Sequence, residues 1–204
     1  MKNFGRNDLL FSLCGLNCGL CTMKLDGYCP GCGGGEGNQS CKIAKCSLQH
    51  GAVEYCFQCS EFPCGYYEHF EEYDIFITQQ NRMKDLARAE KIGTEKYHGE
   101  IAEKIEILEY LLKYYNTGRQ KSFFCTAVNL LTLEDVKAVM KEIAQKAPAD
   151  LLDIGDAMNC VDAEEAVEIS DPAELKKRAL TAVDCFKRMG ELRGVELKLR
   201  RKKR

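Results

Sequence analysis

The chain has 204 residues, 45% of them hydrophobic and 29% charged, with 29 Lys and Arg against 31 Asp and Glu. That length suits one domain or a small module joined to a medium one, and it can bury a core without covalent staples. A net charge of −2 gives no general attraction for nucleic acid or a membrane surface; the local exception, Arg200-Arg201-Lys202-Lys203-Arg204, reads as a solvated end.

The first segment, residues 1–66, is dominated by cysteine and glycine. Ten of the chain's 13 cysteines fall here: Cys14, Cys18, Cys21, Cys29, Cys32, Cys41, Cys46, Cys56, Cys59 and Cys64. Such a cluster is a disulfide framework or a metal site. The N-terminus opens Met-Lys-Asn-Phe-Gly-Arg-Asn-Asp, and the apolar stretch after it stops at Leu13, too short for an export signal. Leu13 is also too bulky for a lipoprotein cleavage box, and no run approaches the ~20 apolar residues of a membrane span. The expectation is a cytoplasmic protein with reduced thiols and bound metal.

The spacings support metal. Cys18-x2-Cys21, Cys29-x2-Cys32 and Cys56-x2-Cys59 are tight turns that bring two sulfurs to one ion, with Gly19, Gly31 and Gly33 relieving the backbone. Pairs of this kind, brought together, make the tetrahedral sulfur geometry that suits Zn2+. All ten cysteines are candidate ligands, and an iron–sulfur cluster is the alternative. Ten thiolates exceed two closed sites; His50, placed Cys46-x3-His50, and His69 would bring the donors to twelve. Cys14-x3-Cys18-x2-Cys21 has the spacing of radical S-adenosylmethionine enzymes, with Gly34-Gly35-Glu36 near it. The chain beyond Cys21 continues into more cysteines and then helices, without the alternating strands such enzymes need. The loop Gly31–Gly37 lacks the Lys-Ser/Thr of a phosphate loop, and no βαβ pattern surrounds any pair as in a thioredoxin-like site. A segment so poor in apolar surface should need metal in order to fold.

From about Glu68 the pattern turns helical. Ile101, Ile105, Leu108, Leu112 and Tyr115 recur at helical spacing until Asn116-Thr117-Gly118. The next helix contains Phe123-Phe124-Cys125, where Arg119, Lys121 and Asn129 with Cys125 suggest a second, anion-binding or thiol site; Cys125 otherwise reads as core. Thr132 is placed to cap a helix carrying Val136, Val139, Met140 and Ile143, with Pro148 at its end. Asp171-Pro172-Ala173-Glu174 starts a further helix with Leu175, Ala179, Val183 and Phe186 inward and Gly190 placed to close it. Cys160 and Cys185 read as packing. Val195, Leu197 and Leu199 fit an edge strand or a fraying helix.

The motifs Cys14-Gly15-Leu16-x-Cys18-x2-Cys21, Cys29-x-Gly31-Cys32, Cys41-Lys42-x2-Lys45-Cys46 and Cys56-x2-Cys59-x-Glu61-Phe62-Pro63-Cys64 together resemble a family of small cysteine-rich bacterial and archaeal proteins. It is known as a domain of unknown function and presumed to bind zinc. Gly118-Arg119-x-Lys121-Ser122-Phe123-Phe124-Cys125-x-Ala127-Val128-Asn129-Leu130-Leu131 resembles a later segment of its longer members. The resemblance implies zinc and no particular activity. The expected architecture is mainly α, with an irregular metal-binding module (1–66) packed on a helical domain (67–204) that ends in a short basic tail. The expected function is metal binding with a structural or binding role, open to a protein partner. The alternative is an iron–sulfur or metal-dependent enzyme, or a metal-handling accessory protein, using an open or mixed-ligand thiolate site. No catalytic residue is assigned, and no basic stripe with interleaved aromatics marks a nucleic-acid surface.

Overall fold

In the computed structural model the described residues are 3–35, 41–69, 72–146 and 171–202. They form seven helices and three short 3-10 turns, with no strand among them. The chain divides into two compact units, Met1–Ile105 with Lys198–Arg204, and Glu106–Leu197.

The first unit holds the ten clustered cysteines. Its elements are a 3-10 turn at Cys18–Leu20, α1 (Thr22–Leu25), α2 (Lys42–Gln49), 3-10 turns at Cys56–Gln58 and Gly65–Tyr67, α3 (Arg82–Ile92), and α4 (Thr94–Tyr114) as far as Ile105. Phe11 and Tyr55 from the cysteine-rich loops bury with Leu86, Ala89, Tyr97 and Ile101 of α3 and α4. Leu13, Cys14, Ile43, Ala44 and Cys56 make a neighbouring cluster, and Phe62 and Tyr67 pack against both. The unit therefore runs well past residue 66, where the composition changes. Each large apolar side chain taken from water contributes about 1.5–3 kcal/mol, so the cysteine loops order partly by packing on two helices, which composition alone does not reveal.

Polar contacts fix the same loops. The Arg6 guanidinium donates to the carbonyls of Glu54, Asp8 and Phe11, each at 3.0 Å. Asn17 Nδ2 donates to Asp85 Oδ2 at 2.9 Å, and the Tyr97 hydroxyl donates to Asn17 Oδ1 at 2.9 Å. The Tyr55 hydroxyl donates to Asp8 Oδ2 at 2.9 Å, where His98 Nε2 also lies at 2.9 Å. Gly15, at φ 90°, is needed twice over: its backbone is left-handed, and a Cβ there would stand 2.6 Å from the Arg82 carbonyl. At the C-terminal end, Arg200 N donates to Asp74 Oδ2 at 2.7 Å and its carbonyl accepts from Asp74 N at 2.8 Å. The basic run is thus anchored at Arg200 instead of fraying; Lys203 and Arg204 lie outside the described residues.

The second unit continues α4 from Glu106 and adds α5 (Lys121–Leu130), α6 (Leu133–Lys146) and α7 (Pro172–Arg193). α7 packs against α6 and α5, with the Phe186 ring 6.0 Å from that of Phe124. Thr132 Oγ1 caps α6 by accepting from Asp135 N at 3.1 Å, and Asp171 Oδ1 caps α7 by accepting from Ala173 N at 2.9 Å. α7 does not stop at Gly190. It runs to Arg193, and Gly194 in the left-handed region ends it while Val195 N donates back to the Gly190 carbonyl at 2.8 Å, a Schellman closure. Gly190 instead makes room for the returning chain, since a Cβ would meet the Val195 carbonyl at 2.8 Å. The buried stripe runs Ala179, Ala182, Cys185, Phe186, Gly190, with Leu175 and Val183 at its margin. Residues 195–199 form neither strand nor helix. Pro148, Cys160 and the end of the Gly31–Gly37 loop lie outside the described residues.

Candidate metal centre

The cysteine loops turn tightly because their backbone hydrogen bonds are local. Ser12 N donates to the Leu16 carbonyl at 2.8 Å, Gly15 N to that of Ser12 at 3.0 Å, and Cys21 N to that of Cys18 at 3.1 Å. After Cys56, Cys59 N donates to the Cys56 carbonyl at 3.0 Å and Phe62 N to that of Cys59 at 3.1 Å. Gly31, at φ 99°, lies where a Cβ would stand 2.5 Å from the Leu9 carbonyl.

These turns bring sulfurs together in two neighbourhoods. In the first, Cys18 lies close enough to Cys32, Cys14 and Cys21 for their thiolate charges to oppose its own ionisation, and Cys21 is similarly placed beside Cys29. Burial pushes the Cys18 thiol up to about 12, with repulsion from Cys32 next in weight. Burial and then Cys14 raise Cys32. Backbone N–H groups point at these sulfurs: that of Cys32 at Cys18, those of Met23 and Lys24 at Cys21, and that of Leu13 at Cys32. Arg6 also reaches Cys32, favouring its thiolate.

In the second neighbourhood Cys46 is raised by desolvation and then by Cys64, Cys59 and Glu61. Cys46, His50, Cys56, Cys59 and Cys64 line one cavity of about 20 Å³, walled by Ile43, Val53, Phe62 and Tyr67. Cys56 stands between the neighbourhoods. Burial pushes its thiol up to about 12, the Tyr67 hydroxyl stands beside its sulfur and favours the thiolate, and both Cys14 and Cys64 lie near it. Arg82 adds positive charge nearby, and its Nε donates to the Cys14 carbonyl at 3.1 Å.

The remaining candidates separate. Cys41 is exposed at the N-cap of α2. His69 is exposed and pairs with Glu72 at 2.7 Å, whereas His50 is in the cavity wall. Arg119 is exposed while Cys125 and Asn129 are buried in α5, so they do not present one face to solvent. Cys185 is 1% exposed, with Arg188 Nη2 at 3.3 Å and Lys146 Nζ at 3.7 Å from its sulfur. With no strand among the described residues, they contain neither the strand–helix barrel of a radical enzyme nor a thioredoxin-like βαβ frame. All 12 described cysteines are free thiols. Among the described residues, no group of three or more His, Cys, Asp or Glu side chains is arranged to hold a metal ion as it stands.

Sequence reading passed over the groups that serve the sulfurs from outside the cysteine pattern: Tyr67, Arg82 and Arg6. Nothing in their spacing marks them, because each reaches a cysteine through tertiary contact. Comparison with protein-family models, curated proteins and solved structures finds no match.

Proposed function

We propose that the first unit is a zinc–thiolate body whose metal holds the cysteine loops in one shape and so presents a fixed surface to a protein partner in the cytoplasm. The observation that carries this reading is the set of backbone N–H groups aimed at Cys18, Cys21 and Cys32. Donors fixed by the backbone stabilise the charged sulfur, and a buried thiolate needs a cation besides. A thiol used simply as packing needs neither. Cys14, Cys18, Cys21, Cys29 and Cys32 supply one group of donors, and Cys46, Cys59 and Cys64 a second; Cys56 stands between the two groups, and Cys41 stands apart from both.

The donor chemistry fits a borderline-soft cation, which binds sulfur at ~2.3 Å and gains affinity as the thiols lose protons. The thiols' raised proton affinities describe the protein before metal arrives. Displacing those protons makes binding pH-dependent, strengthening as pH rises. The neighbourhoods sit in the unit's own core, with Cys14 and Cys56 counted among its buried residues. Metal there would therefore stabilise the whole unit. Protein purified anaerobically should be colourless, carry zinc, and lose thermal stability on chelation. Brown protein that absorbs near the visible edge and yields iron would replace zinc by an iron–sulfur cluster, and metal-free protein of undiminished stability would overturn the reading.

A further inference from the structure

We propose that Cys46, His50, Cys59 and Cys64 form a separate mixed sulfur–nitrogen metal site in which His50 supplies the nitrogen. The proposal rests on the metal–thiolate reading above and specifies one of its sites. Cys46 and His50 are four residues apart at the end of α2, so both project on one side of it. Cys59 and Cys64 come from the chain that leaves the Cys56–Gln58 turn, and all four residues line the same cavity. At about 20 Å³ it has room for a single ion or water molecule, since one water needs ~10–15 Å³. Cys64 and Cys59 are the cysteines whose charges bear on Cys46.

Cys56 lines the same cavity but is otherwise engaged. It faces Cys14 of the other neighbourhood, with the Tyr67 hydroxyl beside its sulfur. That leaves three sulfurs and one imidazole, the donor number of a tetrahedral zinc-class site; because no three donors among the described residues are arranged to hold an ion as they stand, the four side chains would close on the ion as it binds. His50 also has a carboxylate near its second ring nitrogen. Its Nδ1 lies 3.8 Å from Glu61 Oε1, longer than a hydrogen bond, and a small turn of the ring on metal binding would bring that carboxylate into hydrogen-bond reach and leave Nε2 for the metal. Glu61 is therefore a positioning residue, carried between Cys59 and Cys64 on the loop that supplies both sulfurs. With its side chain 31% exposed, His50 also gives an ion a path from solvent.

The test uses full-length protein loaded anaerobically with zinc, read by metal content and zinc X-ray absorption, with His50→Ala, His50→Cys, Glu61→Gln and His69→Ala compared to wild type. Wild type should show a zinc–nitrogen shell at ~2.0–2.1 Å beside sulfur at ~2.3 Å. His50→Ala should lose that shell and one equivalent of zinc. His50→Cys should keep the zinc and replace nitrogen by sulfur, which separates ligation from a folding defect. Glu61→Gln should weaken that equivalent by ~10–100-fold, and His69→Ala should change nothing. An all-sulfur shell in wild type, with zinc content unaffected by His50→Ala, overturns the His50 assignment and leaves the thiolate reading standing. Absence of bound metal from every protein overturns both.

Discussion

Asp85 gives a prediction that is independent of metal. Its carboxyl sits in the first unit among Asn17, Tyr97 and Lys104. Burial raises it from 3.8 to about 7, although the Lys104 charge and hydrogen bonds from Tyr97 and Asn17 pull the other way. The folded state then holds a proton that the unfolded chain has lost between pH ~4 and ~7. The residue's contribution to stability is complete below pH ~4 and is lost as pH rises through 7. With 1.36 kcal/mol per pKa unit, the loss between pH 5.5 and 8 is about 2 kcal/mol. Asn keeps the shape and accepts the Asn17 hydrogen bond but has no proton to lose. Asp85→Asn should therefore gain about 2 kcal/mol on wild type over that interval. Urea unfolding of both proteins, under reducing conditions at fixed metal concentration, reads the difference, in which the pH dependence of the thiols cancels. Parallel pH profiles would show that Asp85 stays ionised beside Lys104 and would refute the reasoning.

Three further outcomes rest on particular contacts. Thr132→Ala should cost about 1 kcal/mol by urea titration, because it removes the acceptor for Asp135 N at the start of α6. Gly15→Ala should cost more than about 1 kcal/mol in thermal or urea unfolding, since the left-handed backbone and the Arg82 carbonyl both resist a Cβ. Cys125→Ala and Cys185→Ala should leave metal content unchanged, as both thiols are buried in the helices of the second unit; loss of an equivalent in either would extend the metal-binding set beyond the first unit.

The helices were legible because their signals are local. Asn116-Thr117-Gly118 after α4, Thr132 before α6 and Asp171-Pro172 before α7 each mark a boundary within a few residues of chain. Gly190 misled because two glycines stand near the end of α7, and which one closes it depends on where the chain returns. The reach of the first unit was hidden for the opposite reason. Phe11 and Tyr55 obey no period, and their partners on α3 and α4 are distant in sequence, as are the hydrogen bonds from Asn17 to Asp85 and from Tyr97 to Asn17. The cysteines announced their chemistry through spacing, but not their grouping. It takes folded loops to put Cys18 beside Cys32 and Cys46 beside Cys64, and to distinguish His50, in a cavity wall, from exposed His69.

The most direct test of the central claim is the metal content and absorption spectrum of anaerobically purified full-length protein, before and after a chelator. The account predicts colourless protein with stoichiometric zinc, whose removal exposes reactive thiols and lowers the unfolding temperature. Thiols equally reactive before and after chelation, with no zinc released and no change in stability, would contradict it.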